Sequence, residues 1–161
     1  MTGKRRKECR QGPVEKSIDM DPSHLEPMLD LEIPGDVDAV APAVNLIMEQ
    51  VRLVGCIEGH EFEVEVALLE AVANAVEHGC RGDASKTVSI RVVCHDEHGL
   101  LINVRDPGEG FAVEEIPSPV EGENLFRTHG RGVWLINSLM DDVRYERGGT
   151  ELRMHKKKKE G

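Results

Sequence analysis

The stretch Glu70–Gly79, EAVANAVEHG, decides most of the fold because it closes a long helical pattern that begins near Glu61. Apolar residues recur through this pattern at the three- and four-residue spacing of an amphipathic helix. They predict a buried stripe made of Phe62, Val66, Leu69, Ala73 and Val76. Gly79 follows as the expected C-cap. The pattern therefore predicts a helix from about Glu61 to Glu77.

Two elements are predicted before this helix. Residues 28–33 (MLDLEI) alternate apolar and polar side chains and end at Pro34-Gly35, a pattern typical of a strand. A helix should then begin near residues 39–41, since Pro42 is tolerated only in a first turn, and should end at Gly55. Its apolar stripe consists of Val37, Val40, Val44, Ile47, Val51 and Val54.

The pattern after Gly79 predicts six further segments. They are a strand pair at 88–94 and 100–105, a Gly- and Pro-rich loop at 107–131, a helix from Val133 to about Met140, and strands at 143–146 and 151–154. A loop of this length inside a compact domain is typical of a functional lid. Tight turns are expected at His98-Gly99 and at Gly148-Gly149.

The order of these elements predicts an α+β fold. Five mostly antiparallel strands with three helices on one face would form a two-layer sandwich. The short turns between consecutive strands argue against a doubly wound parallel sheet.

The distribution of charge limits the partners of the chain. Its 161 residues have a formal net charge of -10, but basic residues cluster in 4–10 and 156–159. Residues 11–155 hold 11 basic and 28 acidic residues, so the body is near -17. Such a body repels a phosphate backbone, and direct nucleic-acid binding is therefore not expected.

The composition also bears on the compartment. No apolar run reaches the roughly 20 residues needed to span a bilayer, and a polar segment follows the basic N-terminus where a signal peptide would be apolar. The four cysteines, Cys9, Cys56, Cys80 and Cys94, form no CxxC pair. They are expected to be reduced, small apolar residues of a cytoplasmic protein, with zinc ligation as the less favoured alternative.

Glu70 and Asn74 are the first candidates for chemistry. They lie four residues apart and share one face of the predicted helix. Asn74 can offer a neutral oxygen to Mg²⁺, which prefers few protein ligands alongside phosphates and waters, while Glu70 can act as a base. The alternative is an ordinary solvated polar face.

Asp106 is the second candidate, at the start of the segment DPGEG (106–110) directly after a strand. Its carboxylate can accept a hydrogen bond from an exocyclic amine such as that of adenine. Gly108 and Gly110 allow the backbone to approach a ligand closely. An ordinary Asp-Pro-Gly turn remains open as the alternative.

A third candidate is the Gly130-Arg131-Gly132 segment, which opens the last predicted helix. Free N–H groups at a helix N-terminus suit phosphate, and Arg127 and Arg131 add cations to an acidic body. A flexible connector is the alternative. Thr150 places a hydroxyl at the start of the last strand, where it is also compatible with a simple hairpin end.

Taken together, these segments resemble a known superfamily. The motifs EAVANAVEHG (70–79), DPGEG (106–110), GRGVWLINSLMDDV (130–143) and GT (149–150) resemble the N, G1 and G2 boxes of the GHKL ATP-binding superfamily, which has the Bergerat fold. The runs ENLFRTHGRG (123–132) and LINSLMDDVRY (135–145) resemble the bacterial anti-sigma factor serine kinases in particular. The resemblance covers about residues 28–156.

The resemblance implies ATP and Mg²⁺ as cofactors and gives each candidate a role. Glu70 would be the general base, and Asn74 would hold Mg²⁺. Asp106 would bind the adenine amino group in a pocket shaped by Gly108, Gly110 and Thr150. The residues implied in phosphate binding are Gly130, Arg131, Gly132 and Arg127, the last reaching the γ-phosphate. His78 is expected to cap the helix end.

The resemblance also implies a function. The chain would be an anti-sigma factor that phosphorylates a serine of an anti-anti-sigma protein and sequesters a sigma factor, with homodimers common in the family. A nucleotide-binding adaptor without kinase activity remains the alternative. The expected organisation is a disordered lead-in at 1–26, an ATP-binding kinase domain at 27–156 with a lid at about 111–130, and a basic tail at 157–161.

Overall fold

The computed structural model describes residues 25–110 and 128–158, with residues 128–131 described by their backbone only. Its strands are β1 (Leu29–Pro34), β2 (Thr87–His95), β3 (Gly99–Arg105), β4 (Asp142–Glu146) and β5 (Glu151–Lys156). Its helices are α1 (Val40–Val54), α2 (Glu61–Asn74) and α3 (Thr128–Leu139). A π-helical turn, Ala75–Gly79, continues α2, and two short 3₁₀ turns span Val37–Ala39 and Arg147–Gly149.

The five strands form one sheet in the order β1-β2-β3-β5-β4, and every neighbouring pair is antiparallel. Alternate side chains of each strand face the three helices and form the main core. Leu25 packs on the opposite face of the sheet against Val93 and Leu101. The predicted two-layer α+β fold is confirmed.

The predicted bounds of α1 are confirmed by its two ends. The helix begins at Val40, so Pro42 lies in the first turn. A backbone N–H in the first turn has no helical carbonyl as a partner, so proline loses no hydrogen bond there. Gly55 ends the helix with φ +77°, and its N–H donates to the carbonyl of Val51 at 2.9 Å. This left-handed conformation is one that glycine adopts without strain.

The predicted buried stripe of α2 is wrong for most of its members. Phe62 is 76% exposed and Leu69 is 42% exposed, although Val76 in the following turn is buried. The buried face consists of Val64, Ala67, Leu68, Ala71 and Val72. Apolar residues occupy so many positions of this helix that spacing alone does not select one face.

The last helix begins earlier than predicted. It starts at Thr128 rather than Val133, so Gly130, Arg131 and Gly132 lie within its first turns and residues 128–130 are helical rather than loop. The rest of the predicted lid, 111–127, lies outside the described residues, as does most of the predicted lead-in.

The expectation of reduced cysteines is wrong for one pair. Cys56, which follows α1, and Cys94, on β2, are joined by a disulfide with their Cα atoms 5.9 Å apart. Packing of the helices on the sheet brings together two residues separated by 38 positions, which the sequence pattern could not show. Cys80 is a buried free thiol, and Cys9 lies outside the described residues.

No helix in the described part of the chain is long and apolar enough to cross a membrane.

Candidate functional site

A cavity of about 260 Å³ lies between the helices and one end of the sheet. The predicted site residues among its lining are Asn74, Asp106, Gly110 and Thr150. The other lining residues are Ala71, Ala75, His78, Gly79, Val104, Val133, Tyr145, Gly149 and Leu152. A concave, mostly apolar pocket with a few convergent polar groups is typical of a small-molecule site.

Glu70 and Asn74 meet above Gly132, where α2 and α3 approach each other. A Cβ atom placed on Gly132 would lie 2.8 Å from Asn74 Nδ2 and 3.1 Å from Glu70 Oε1. The two side chains therefore converge on one point at the start of α3. Because Asn74 also lines the cavity, this point is at the cavity's border.

The segment after Asn74 differs from the predicted helix end. Ala75–Gly79 form a π-helical turn, a local widening that is frequent at functional sites. Cys80 occupies the cap position, and its N–H donates to the carbonyl of Ala75 at 2.9 Å. The predicted C-cap role of Gly79 is therefore wrong, because Gly79 lies inside the turn. Gly79 and His78 both line the cavity, and the capping role of His78 stays a prediction.

Gly79 is required for a different reason, namely the placement of Asp106. A Cβ atom on Gly79 would overlap the Asp106 carboxyl group. Asp106 Oδ1 accepts a hydrogen bond from the N–H of Gly108 at 2.8 Å, which fixes the carboxyl group and leaves Oδ2 for another donor. A side chain on Gly108 would crowd the carbonyl of Gly79 at 2.8 Å.

Burial perturbs the acid chemistry around Asp106. Loss of solvent raises the pKa of the Asp106 carboxyl, and the Gly108 N–H offsets part of this rise. Burial, and then the nearby Asp106 carboxylate, raise the pKa of the Cys80 thiol. A carboxylate whose pKa is raised by burial in a cleft is a candidate for ligand recognition.

Gly110 and Thr150 close the cavity on the side of the β4–β5 connection. Gly110 has φ +81°, and a side chain there would overlap the carbonyl of Gly148. The hydroxyl of Thr150 donates to the carbonyl of Arg147 at 2.9 Å, and the Thr150 carbonyl accepts from the Asp106 N–H at 2.9 Å. Thr150 is thereby tied to the residue that follows β3.

Three predicted phosphate-binding residues are described incompletely or not at all. Arg127 lies outside the described residues, and only the backbone of Gly130 and Arg131 is described. Sequence reasoning missed Gly79 as the support of Asp106, and it also missed Tyr145. Burial raises the pKa of Tyr145 to about 12, so this lining phenol is neutral near pH 7.

Comparison with known proteins identifies the domain. A family model described as Histidine kinase-like ATPase domain matches residues 33–156. The chain belongs to this family. Use of ATP is the chemistry of such a domain, and the matched range contains the four motifs at 70–79, 106–110, 130–143 and 149–150.

Individual relatives of this ATPase-domain chain are named as serine-protein kinases or as an anti-sigma factor. It is 34% identical over 88 residues to the serine-protein kinase RsbW of Oceanobacillus iheyensis, covering 51% of this chain and 55% of that protein. The RsbW of Listeria monocytogenes is 28% identical over 94 residues, or 53% and 59% of the two chains. The anti-sigma F factor of Priestia megaterium is 31% identical over 87 residues, or 52% and 58%. The chain thus matches a little over half the length of these relatives.

Proposed function

We propose that the chain is an ATP-dependent anti-sigma factor with protein-serine kinase activity. It would phosphorylate a serine of an anti-anti-sigma protein and sequester a sigma factor in the cytoplasm. The observation that supports this proposal best is the convergence of Glu70 and Asn74 over Gly132, at the border of a cavity that contains Asp106. The names of the relatives support the classes of partner.

The two ends of the cavity fit the two ends of an adenine nucleotide. Asp106 Oδ2 is suited to accept a hydrogen bond from the base amine, and Thr150 lies beside it through its backbone bond to Asp106. On the other side, the first turns of α3 hold Gly130, Arg131 and Gly132. The N–H groups of the first residues of a helix favour phosphate oxygens, and here these residues include Gly130, whereas Arg131 and Gly132 lie further inside α3. The sequence adds Arg127 as a further cation toward the γ-phosphate.

The proposed catalysis depends on position and charge more than on covalent chemistry. Bound Mg²⁺ would neutralise phosphate charge, and the amide of Asn74 offers the single neutral oxygen that such a site requires. Glu70 is proposed to accept the proton of the serine hydroxyl. Its carboxyl group lies on the same side of Gly132 as the Asn74 amide, and this proximity supports the proposed pairing of a base with a metal ligand.

Nucleotide binding is tested by titrating Mg²⁺-ATP into the wild-type chain and into Asp106→Asn. Asparagine keeps an oxygen for the Gly108 N–H but turns an NH₂ group toward the base amine, so affinity should fall about 10- to 100-fold. The control is Asp30→Asn, because the Asp30 side chain is exposed on the face of β1 away from the helices and the cavity. This variant should bind Mg²⁺-ATP with wild-type affinity. An unchanged affinity in Asp106→Asn would remove the assigned contact.

Phosphoryl transfer is tested with γ-labelled ATP and the anti-anti-sigma protein encoded in the same genome. Glu70→Gln should keep ATP binding and lose about 100-fold or more of the transfer rate, as expected for loss of a general base. Glu77→Gln, an exposed glutamate of the π-helical turn, is the control. ATP binding without serine phosphorylation by the wild type would favour the adaptor alternative, and absence of ATP binding would reject both.

A further inference from the structure

Three strands contribute one side chain each to a row across the floor of the cavity. Val104 on β3 pairs with Leu152 on β5, and Leu152 pairs with Tyr145 on β4. All three side chains face the helices and line the cavity. The row is therefore continuous, and Tyr145 is its aromatic member.

The opposite wall of the cavity consists of small side chains. Ala71 of α2 and Ala75 of the π-helical turn face the floor, and Val133 of α3 joins them. A methyl group on each alanine leaves room for a flat ring between the helices and the sheet. Among the described lining residues, Tyr145 has the largest apolar side chain, so its ring limits the extent of the floor.

Tyr145 and Asp106 lie at opposite edges of this floor. Asp106 follows β3, β5 lies next to β3, and β4 with Tyr145 comes after β5. Neighbouring strands are spaced by about 4.8 Å, so the two positions are separated by two strand spacings, about 10 Å. If one edge of a purine base bonds to Asp106, its far edge is directed toward the β4 side of the floor.

We propose that Tyr145 is a specificity-determining residue whose ring packs against the edge of the purine base remote from Asp106 and excludes bases enlarged at that edge. The inference rests on the proposed binding of ATP and adds a contact that limits which purine nucleotides enter. A neutral phenol suits this place, because a charged group there would have to be buried against an uncharged base.

The experiment compares the affinities of ATP and of 2-methylthio-ATP, which is enlarged on the pyrimidine ring away from the amine. Both are measured with Mg²⁺ for the wild-type chain, Tyr145→Phe and Tyr145→Val. The wild type and Tyr145→Phe should discriminate equally against the analogue, since both retain the ring. Tyr145→Val should reduce the discrimination by about tenfold or more, as expected when bulk is removed from an apolar pocket.

Two further variants separate this role from a general effect on folding. Val143 lies on the same strand and the same face, but it pairs with Met154 and does not contribute to the cavity lining. Val143→Ala should leave the ratio of the two affinities unchanged. Tyr145→Trp should have the opposite effect to Tyr145→Val. The larger ring should shorten the floor and lower the affinity for ATP as well as for the analogue.

The outcomes distinguish this inference from the proposed function. Tight ATP binding with the same affinity ratio in wild type and folded Tyr145→Val would overturn the role of Tyr145 and leave the ATP site intact. If valine does not fold, unchanged binding of both nucleotides by Tyr145→Trp would overturn it equally. Failure of the wild type to bind ATP would overturn the proposed function and this inference with it.

Discussion

Gly132 is the residue at which helix packing and the proposed chemistry meet. The absence of a side chain lets α3 approach α2 until the ends of Asn74 and Glu70 lie over its Cα atom. The atoms that a Cβ would meet belong to flexible side chains rather than to the backbone. A methyl group here can therefore be accommodated, but only if both candidate site residues move.

Gly132→Ala is expected to separate stability from function. The fold should lose little stability and could gain up to about 1 kcal/mol, because alanine is the better helix former. Displacement of Asn74 and Glu70 by even a fraction of an ångström should lower the transfer rate at least about tenfold, since phosphoryl transfer depends on position. Urea unfolding measures the first effect, and the labelled-phosphate assay measures the second.

Ser138→Ala provides the matched control on the same helix. Its hydroxyl donates to the carbonyl of Trp134 at 2.8 Å, away from the cavity, so the substitution should change neither the transfer rate nor the stability by much. Full activity in Gly132→Ala would show that the close approach of the two helices serves packing alone.

Individual site residues were predictable from sequence to different extents. Asn74, Asp106, Gly110 and Thr150 belong to local motifs, and the structure places all four around the cavity. The need for Gly79 was not predictable, because the carboxyl group that contacts it comes from a residue 27 positions later. Their proposed roles in ATP and metal binding stay predictions.

At the scale of elements, α2 shows where periodicity fails. Its apolar residues occupy two faces, and only packing against the sheet and α1 decides which face is buried. Leu68 is fully buried, whereas the adjacent Leu69 is 42% exposed. Neighbouring residues in a helix point about 100° apart, so one register of the same pattern buries the first and exposes the second.

The adjacent leucines supply a direct test of this assignment. Leu68→Ala should destabilise the fold by about 2–5 kcal/mol, because it removes buried methyl groups and leaves a cavity. Leu69→Ala should cost well under about 1 kcal/mol, since its side chain is partly in water already. Urea unfolding of both variants at pH 7 gives the comparison, and equal losses would mean that the stripe predicted from spacing is buried after all.

At the scale of the whole molecule, short-range patterns predicted which consecutive strands pair but not the order of the strands in the sheet. Tight turns join β2 to β3 and β4 to β5, and the sequence predicted both connections as Gly-containing turns. The insertion of β5 between β3 and β4 could not be predicted from the sequence. It depends on the pairing of Leu100–Arg105 with Glu151–Lys156, residues that are 46 or more positions apart. The disulfide between Cys56 and Cys94 was missed for the same reason.

The start of β5, near the cavity, also contains a buried charge that is expected to affect stability at low pH. The Glu151 side chain is only 5% exposed, and it accepts bonds from Arg147 Nε at 2.7 Å and Arg153 Nε at 3.0 Å. Burial raises the pKa of Glu151, but the two arginines outweigh burial and hold this pKa below its usual value of 4.5. The folded chain therefore favours the ionised carboxylate more than the unfolded chain does.

The sign of this shift predicts how stability changes with pH. The contribution of Glu151 is present above pH 4.5, the usual glutamate value, and is lost as the pH falls through the lower value of the folded state. Glu151→Gln should cost about 1.5–3 kcal/mol at pH 7, the range for hydrogen bonds to charged groups. Its difference from wild type should shrink as the pH falls below 4.5, in urea unfolding measured from pH 7 to pH 3.

Asp106 provides the contrast, because burial raises its pKa above the usual 3.8 and the ionised form is penalised in the folded chain. Asp106→Asn should therefore be as stable as wild type or more stable at pH 7, and this gain should vanish on acidification as the wild-type carboxyl takes up a proton. The two variants should then approach wild type at low pH from opposite sides. If the free energies of unfolding of the two variants instead changed with pH in parallel, general charge repulsion in a body of this net charge would govern acid unfolding, rather than these two buried carboxylates.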